Sequence, residues 1–304
     1  MTPQPAAPAP KFPPLIIACL AATWLIWGST YLVIRFALAG FAPFFMMSTR
    51  FFCAGFLLFV WQRMRGSPLP TAREWRNAAL VGTLMLGGGM GGTAFAEMSV
   101  GSGLVVAFIA VTPVILVLIN LAFRILPSRR ELAAVALGLI GVLMLTQGRS
   151  FQASPAGLAA IGTAVACWST GSILSLRGFK LAAGPMGFAS EMVCGGATLL
   201  VLSLLRGESW VLPTQPGPYL AWAYLVVLGS LVAFSAYMIL LARVPTSLAS
   251  SYTLVNPVVA LALGVSVGGE RVSAGEWLAA AVILGAVLLL FVRRNTPGQR
   301  KATQ

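Results

Sequence analysis

Apolar residues run along this chain in long, nearly continuous stretches, without the strict alternation of a half-buried strand or the single apolar stripe of a surface helix. A helix of about 20 apolar residues crosses a hydrocarbon layer about 30 Å thick. Short connections rich in proline and polar residues separate the stretches, so we predict ten transmembrane helices. Their predicted bounds are 15–35, 44–61, 78–96, 103–123, 132–147, 156–176, 186–205, 219–241, 247–267 and 274–292.

The connections between these stretches are too short for a separate soluble domain. The pattern therefore predicts an all-α integral membrane protein in four parts. A disordered, proline-rich cytoplasmic tail at 1–14 precedes a first five-helix unit at 15–147, and a second five-helix unit at 156–292 precedes a cytoplasmic tail at 293–304.

The amino-acid composition supports the membrane-protein class and argues against several classes of enzyme. Of 304 residues, 58% are hydrophobic and 9% charged, and the chain contains neither histidine nor aspartate. His-ligated zinc sites, Ser-His-Asp catalysis and aspartate-rich magnesium sites thus lack their usual residues, and no glycine-rich phosphate loop is present. We predict a protein that is not an enzyme, that needs no cofactor or metal, and that requires no ATPase subunit.

The net charge of +13 carries information about orientation. Connections on the side of the N-terminus hold 15 of the 20 lysines and arginines, the opposite side holds four, and Arg50 lies within a span. Because cytoplasmic loops retain an excess of Lys and Arg, both termini are predicted to be cytoplasmic. A nucleic-acid surface would instead collect its cations on one folded face, so no nucleic acid is expected as a partner.

The two halves of the chain resemble each other. An offset of 141 residues places Trp27 on Trp168, and an offset of 144 places Pro113 on Pro257. Five helices are an odd number, so the second copy enters the membrane from the opposite face. The sequence therefore predicts two inverted repeats, an arrangement that places a transporter's binding site between the halves.

Several motifs resemble those of the drug/metabolite transporter superfamily, specifically its ten-helix EamA-type exporters. These motifs are Trp27-Gly28-Ser29, Pro43 followed by Arg50, Asn256-Pro257-Val258-Val259 and Gly269-Glu270-Arg271. Within that superfamily the chain is most similar to the YddG-type exporters of amino acids and metabolites. The resemblance implies movement of a small-molecule substrate across the bacterial inner membrane, by alternating access through a central cavity.

Paired residues near the middle of the spans are candidates for the wall of such a cavity. Pro113 and Pro257 each remove a backbone donor at mid-span, which predicts helix kinks and freed carbonyl groups. Trp27 and Trp168 lie too deep for the interfacial aromatic belt, so they either fill packing gaps or line the cavity. The predicted substrate-binding residues are Trp27, Ser29, Thr30, Phe108, Thr112, Trp168, Ser169, Thr170, Tyr252 and Asn256.

Ionisable residues within the spans are costly and need an explanation. Arg50 and Glu191 occupy equivalent positions at the offset of 141, and we interpret them either as charges that flank opposite ends of the pathway or as residues that bond neighbouring groups. Glu97 follows a glycine run at 87–92, which favours close helix packing or a flexible, gating helix. Glu97 and Glu191 are the acids available for proton coupling, although the lack of Asp and His argues for uniport or exchange.

We predict a secondary transporter that exports small metabolites, with amino acids, aromatic or otherwise amphipathic, as the favoured substrates. The alternatives within the same fold are a multidrug transporter and a nucleotide-sugar-type transporter. A channel or an intramembrane enzyme are the alternatives from other classes. The lipid bilayer and the substrate are the predicted partners.

Overall fold

The computed structural model describes residues 13–100, 105, 108–110, 112–122, 124, 126–146, 154–266 and 273–291. Across these residues the chain is helical and contains no strand. The helices are α1 Pro14–Leu38, α2 Pro43–Met64, α3 Ala72–Ala96, α4 Thr112–Ala122, α5 Arg129–Thr146, α6 Pro155–Leu176, α7 Pro185–Leu205, α8 Pro216–Arg243, α9 Tyr252–Ser266 and α10 Ala274–Phe291, with a short turn at Thr246–Ala249.

Six of these helices, α1, α2, α3, α6, α7 and α8, are long and apolar enough to cross a membrane. The predicted all-helical membrane architecture is therefore confirmed, while the ten-span topology stays a prediction. Large apolar side chains such as Phe56 and Leu220 are exposed on the outer faces of α2 and α8, where a lipid environment would cover them.

Proline residues mark where several of these helices begin. Pro14, Pro43, Pro155, Pro185 and Pro216 each occupy the first helical position, where a missing N–H costs nothing and the fixed φ suits the helix. The residues that punctuate the apolar pattern thus also initiate the helices.

The start of α3 differs from the predicted span. The Thr71 hydroxyl accepts from the Glu74 amide, and the Glu74 carboxylate accepts from the Thr71 amide, forming a capping box. The helix consequently begins at Ala72, whereas the apolar pattern placed the start of the span at Ala78. Polar capping chemistry, which an apolar count does not register, extends the helix beyond the apolar stretch.

The middle of α3 and the middle of α8 are both wound more widely than an α-helix. Thr83–Gly91 and Leu225–Val232 are π-helical segments, in which hydrogen bonds run to the fifth preceding residue. Such segments are rare, and in soluble and membrane proteins alike they concentrate at functional sites.

The glycine run of α3 lets two helices approach closely. A side chain at Gly88 or Gly92 would meet Cys167 or Ala164 of α6, at 2.8 Å and 3.0 Å from the added carbon. Gly87 and Gly91 instead face α7, on the other side of α3. The two Gly-x-x-x-Gly pairs thus serve helix packing on two separate faces, as the packing interpretation of the run requires.

Packing joins elements that are distant in the sequence. α2 runs along α7, α5 along α10, and α1 against both α8 and α9. The start of α2 is held by the other half of the chain, because the Glu208 carboxylate accepts from the Phe44 and Phe45 amides at 3.1 Å and 2.8 Å. An anion at a helix N-terminus satisfies free amide donors and the helix dipole together.

Candidate substrate cavity

A small cavity of about 40 Å³ lies between α1, α3, α6, α9 and the start of α4. The residues predicted to bind substrate come from the first, fourth, sixth and ninth predicted spans, and the structure adds α3 to the wall. Its lining residues are Trp27, Thr30, Tyr31, Gly89, Met90, Thr93, Ile109, Thr112, Ala164, Val165, Trp168 and Tyr252.

Five of the residues predicted to bind substrate lie on this wall: Trp27, Thr30, Thr112, Trp168 and Tyr252. They come from α1, α4, α6 and α9, which are separated by up to 225 residues of sequence. The structure thus brings these five predicted positions together around one space. Their contact with a substrate stays a prediction.

Other predicted residues are placed elsewhere. Ser29 lies within 2.7 Å of the Tyr224 hydroxyl and also donates to the Ile26 carbonyl. The Ser169 hydroxyl donates to a carbonyl one turn earlier in α6. Serine hydroxyls in helices commonly form such hydrogen bonds to a backbone carbonyl of the preceding turn.

Three further candidates lie near the wall without being part of it. Phe108 packs against the apolar cluster that contains Ile109, as Tyr31 also does, and Thr170 lies half-buried on α6. Asn256 lies behind the wall, where its amide Nδ2 donates to the Tyr31 hydroxyl at 3.3 Å. Tyr31 therefore connects a predicted residue to the cavity.

Three aromatic residues of the wall, Trp27, Trp168 and Tyr252, belong to a cluster of four aromatic rings. The Trp27 ring lies 5.6 Å from that of Trp168 and 4.6 Å from that of Tyr252, both in edge-to-face geometry. Tyr237 of α8 completes the cluster, with its ring 5.2 Å from Trp27 and 5.6 Å from Trp168. Edge-to-face packing of this kind stabilises aromatic groups beyond their buried area.

Tyr237 is a residue that sequence reasoning missed. It is buried, and its hydroxyl lies 3.0 Å from the Ser172 hydroxyl. Neither offset of the repeat pairs it with another aromatic residue. Tyr237 is one of three tyrosines in the predicted span 219–241, and nothing in the sequence distinguishes it from the other two.

The two tryptophans are held by the two π-helical segments. Trp27 Nε1 donates to the Gly229 carbonyl in α8 at 3.1 Å. Trp168 packs against Gly89 in α3, where an added Cβ would lie 3.1 Å from the indole ring. Each predicted wall tryptophan thus contacts a glycine in a wide helical turn.

The two mid-span prolines have different local roles. Pro113 is the second residue of α4, and the Thr112 hydroxyl donates to the Ile109 carbonyl at 2.6 Å. This bond satisfies the carbonyl that a proline four residues later would leave free. Pro257 instead lies inside α9, next to Asn256.

Arg50 is almost completely buried, with 1% of its surface exposed. Its Nε donates to the Ser230 hydroxyl of α8 at 2.8 Å, and its guanidinium carbon lies 4.8 Å from the centre of the Phe51 ring. Ser230 in turn donates to the Leu225 carbonyl. The cation is therefore anchored to the π-helical segment of α8.

Glu191 is fully buried on α7, and neither carboxylate oxygen has a hydrogen-bond partner among the described residues. It lies close enough to Tyr237 and Cys194 to interact with them electrostatically. Arg50 bonds Ser230, and neither Glu191 oxygen accepts a hydrogen bond from it. The two equivalent charges thus have separate environments.

Glu97 follows the last residue of α3 and is 7% exposed. Its amide donates to the Thr93 carbonyl, one turn earlier and on the cavity wall. Both carboxylate oxygens lack hydrogen-bond partners in the described part of the chain, while Tyr31 and Arg35 interact with the carboxylate electrostatically.

Metal-ligating side chains do not cluster in the part of the chain that the structure describes, where no group of three or more of them could hold an ion. The predicted motif Gly269-Glu270-Arg271 lies outside the described residues. The chemistry offered by the cavity is therefore that of a binding site with aromatic faces and a few buried polar groups.

A family model matches this arrangement over most of the chain: that of the EamA-like transporter family fits residues 14–147 and 155–292. The chain belongs to the EamA-like transporter family. The protein is therefore a membrane transporter, and the coarse functional prediction is confirmed.

Named relatives agree with this membership. The chain is 39% identical over 277 residues to the uncharacterized inner membrane transporter YedA of Escherichia coli (strain K12), covering 90% of each protein. It is 25% identical to Protein PecM of Dickeya dadantii (strain 3937), covering 89% of this chain and 92% of PecM. The predicted multi-pass localisation in the bacterial inner membrane is confirmed.

A solved crystal structure shares the fold. It aligns with a TM-score of 0.73 at 22% identity and covers 90% of this chain and 95% of its own. At that level of identity the likeness concerns the fold alone.

Proposed function

We propose that this transporter exports small amphipathic metabolites, with amino acids as the principal class, from the cytoplasm through the aromatic cavity. The observation that supports this substrate class is the mixture of groups at and beside the cavity. Glu97 and Asn256 Oδ1 are buried acceptors without a donor among the described residues, and the Trp168 indole N–H lies among the hydroxyls of Tyr237 and Tyr252. The ammonium group of an amphipathic amino acid supplies donors for these acceptors, and its side chain supplies an apolar body for the rings.

Export by alternating access requires two units that can move against each other. A shift of 141 residues carries the π-helical segment Thr83–Gly91 onto 224–232, which nearly coincides with Leu225–Val232. The packing of α2 on α7 and of α5 on α10 also joins elements at corresponding positions in the two halves. These correspondences support ten spans in two inverted repeats of five helices that rock about the cavity.

The orientation follows from charge. The excess of Lys and Arg on alternate connections supports cytoplasmic termini, and the resemblance to YddG-type exporters supports outward movement. In this arrangement Arg50 and Glu191 serve as charges on either side of the pathway. Arg50 bonds Ser230 of α8, and Glu191 is close enough to Tyr237 to interact with it electrostatically.

Transport is tested with the full-length protein reconstituted into liposomes. Vesicles loaded with an unlabelled amino acid should take up the same labelled amino acid faster than unloaded vesicles, and the uptake should saturate. Counterflow of this kind distinguishes a carrier from a channel. Protein-free liposomes are the control, and flux that is unsaturable or independent of internal substrate would contradict the proposal.

The roles of the two buried charges need separate variants. Arg50→Ala and Glu191→Gln, each checked for folding, should lower the counterflow rate by at least tenfold. Undiminished counterflow in both variants would show that neither residue acts in the transport pathway.

Energy coupling is tested with the unchanged protein. If it is a uniporter or exchanger, a pH gradient across the vesicle membrane should leave the counterflow rate unchanged.

A further inference from the structure

We propose that a polar group beside the cavity, made of Tyr31 on the wall with Glu97 and Asn256 next to it, binds the protonated amino group of the transported compound, so that the substrates are amphipathic amines. This inference rests on the proposed transport through the cavity and narrows its substrate class. It requires a positively charged nitrogen and treats a carboxylate on the substrate as dispensable.

Three acceptor atoms in this group lack donors. Both oxygens of Glu97 and the Oδ1 atom of Asn256 are buried without a hydrogen-bond partner among the described residues. Within the same described part of the chain, the Tyr31 oxygen accepts a long bond of 3.3 Å from Asn256 Nδ2. A buried acceptor without a donor is costly, and a buried anion without a counter-charge is more so.

The three residues share one location. Tyr31 lines the cavity, bonds Asn256 and interacts electrostatically with Glu97. Glu97 lies one helical turn beyond Thr93, which lines the same cavity. A ligand that reached Tyr31 from the cavity would therefore lie next to the Asn256 amide and close to the Glu97 carboxylate.

An ammonium group fits this set better than other charged groups do. It carries three N–H donors and no acceptor, and its positive charge compensates the carboxylate. A phosphate or carboxylate would repel Glu97. A divalent metal ion prefers six or more oxygen ligands, and the described residues offer no cluster of three ligating side chains.

The neighbouring aromatic wall suits the rest of such a molecule. Trp27 and Tyr252 line the same cavity, with ring centres 4.6 Å apart. Aromatic faces accept apolar groups and attract positive charge. The cavity thus combines an anionic end with an aromatic body, which matches an amine that bears an apolar group.

Arg35 is the competing partner for Glu97. It interacts electrostatically with the carboxylate but is itself exposed and donates no hydrogen bond to it. If Glu97 existed only to balance Arg35, the protein would show no preference for amines.

The test is calorimetric titration of the full-length protein in detergent with three probes that share a phenyl group. These are 2-phenylethylamine, phenylalanine and 3-phenylpropanoate. The two amines should bind, and 3-phenylpropanoate should bind at least about tenfold more weakly, as expected for loss of a charge-assisted hydrogen bond. Equal binding of 3-phenylpropanoate, or no binding of either amine, would overturn the inference.

Variants then locate the site. Glu97→Gln should weaken 2-phenylethylamine at least about tenfold and leave 3-phenylpropanoate unchanged or improved. Glu74→Gln is the matched control, because Glu74 is a half-buried capping residue far from the cavity lining whose role glutamine can fill, and it should bind like the wild type. Undiminished amine binding by folded Glu97→Gln would overturn the assignment.

The wild-type titration decides the amine preference even if the Glu97 variant does not fold. Failure of the proposed function is separately visible in the liposome experiment. Absence of counterflow for every compound would contradict transport, whereas counterflow that is as fast for 3-phenylpropanoate as for the amines would contradict only the amine site.

Discussion

Arg50 in α2 and Glu191 in α7 occupy equivalent positions in the two halves, yet their surroundings differ. Arg50 donates to Ser230 at 2.8 Å and lies beside the Phe51 ring. Glu191 has no hydrogen-bond partner among the described residues, although it is fully buried. The backbone around Glu191 is nevertheless tightly packed, since its carbonyl lies against Gly82 of α3.

Arg50 and Glu191 thus illustrate two kinds of buried charge in a membrane protein, one hydrogen-bonded and one without a hydrogen-bond partner among the described residues. A charge that is hydrogen-bonded within the resting structure stabilises the contact between two helices, here α2 and α8. A charge without a partner costs stability, so its retention is explained by function more readily than by folding. We therefore expect Arg50 to matter for stability and transport, and Glu191 for transport alone.

The largest effect on stability should come from the packed backbone beside Glu191. An added Cβ at Gly82 would lie 2.5 Å from the Glu191 carbonyl oxygen and 3.0 Å from the Gly195 nitrogen, neither of which can rotate away. Gly82→Ala should lower the free energy of unfolding by about 2 to 3 kcal/mol, measured by chemical denaturation in detergent.

Gly162→Ala is the control for this prediction, because nothing lies within 4 Å of its added Cβ. That variant should be unchanged or more stable by about 0.5 to 1 kcal/mol, as expected for glycine to alanine in a helix. Equal stability of the two variants would show that α3 and α7 are not in close contact at Gly82.

An intermediate effect should follow removal of the Arg50 acceptor. Ser230→Ala leaves the guanidinium without its 2.8 Å bond, which should cost about 1.5 kcal/mol of unfolding free energy in the same assay. Ser175→Ala is the control, since that hydroxyl bonds only a carbonyl one turn away and is half-buried. If both serine variants lose the same stability, Arg50 is not anchored by α8.

The smallest effect on stability should come from Glu191 itself. Glu191→Gln keeps the volume and removes no hydrogen bond, so unfolding free energy should change by less than about 0.5 kcal/mol. Glu208→Gln is the contrasting variant, because the Glu208 carboxylate accepts from Phe44, Phe45 and Ser203. It should lose about 1 to 2 kcal/mol. A loss of that size in Glu191→Gln would reveal a partner for Glu191.

Much of the fold, and part of the candidate cavity, could be predicted from the amino-acid sequence. Long apolar stretches predicted an all-helical membrane protein, because backbone groups in lipid must be satisfied within the helix itself. Prolines predicted where helices begin, and the deep, paired tryptophans predicted a wall that the structure places around one cavity. These features depend on local sequence or on repetition, and both are visible without coordinates.

Tertiary structure alone decided which residues meet. Tyr237, Gly229 and Ser230 of α8 hold Trp27 and Arg50 across 180 or more residues, and no sequence signal joined them. No sequence signal identified Tyr31 either, although its hydroxyl links Asn256 to the cavity wall. In a membrane the outer face of a helix is as apolar as its packed face, so periodicity does not reveal how each helix is rotated. The rotation of each helix is set by how its side chains fit against the neighbouring helices. It gives Arg50 a hydrogen-bond partner, whereas Glu97 and Glu191 have no hydrogen-bond partner among the described residues.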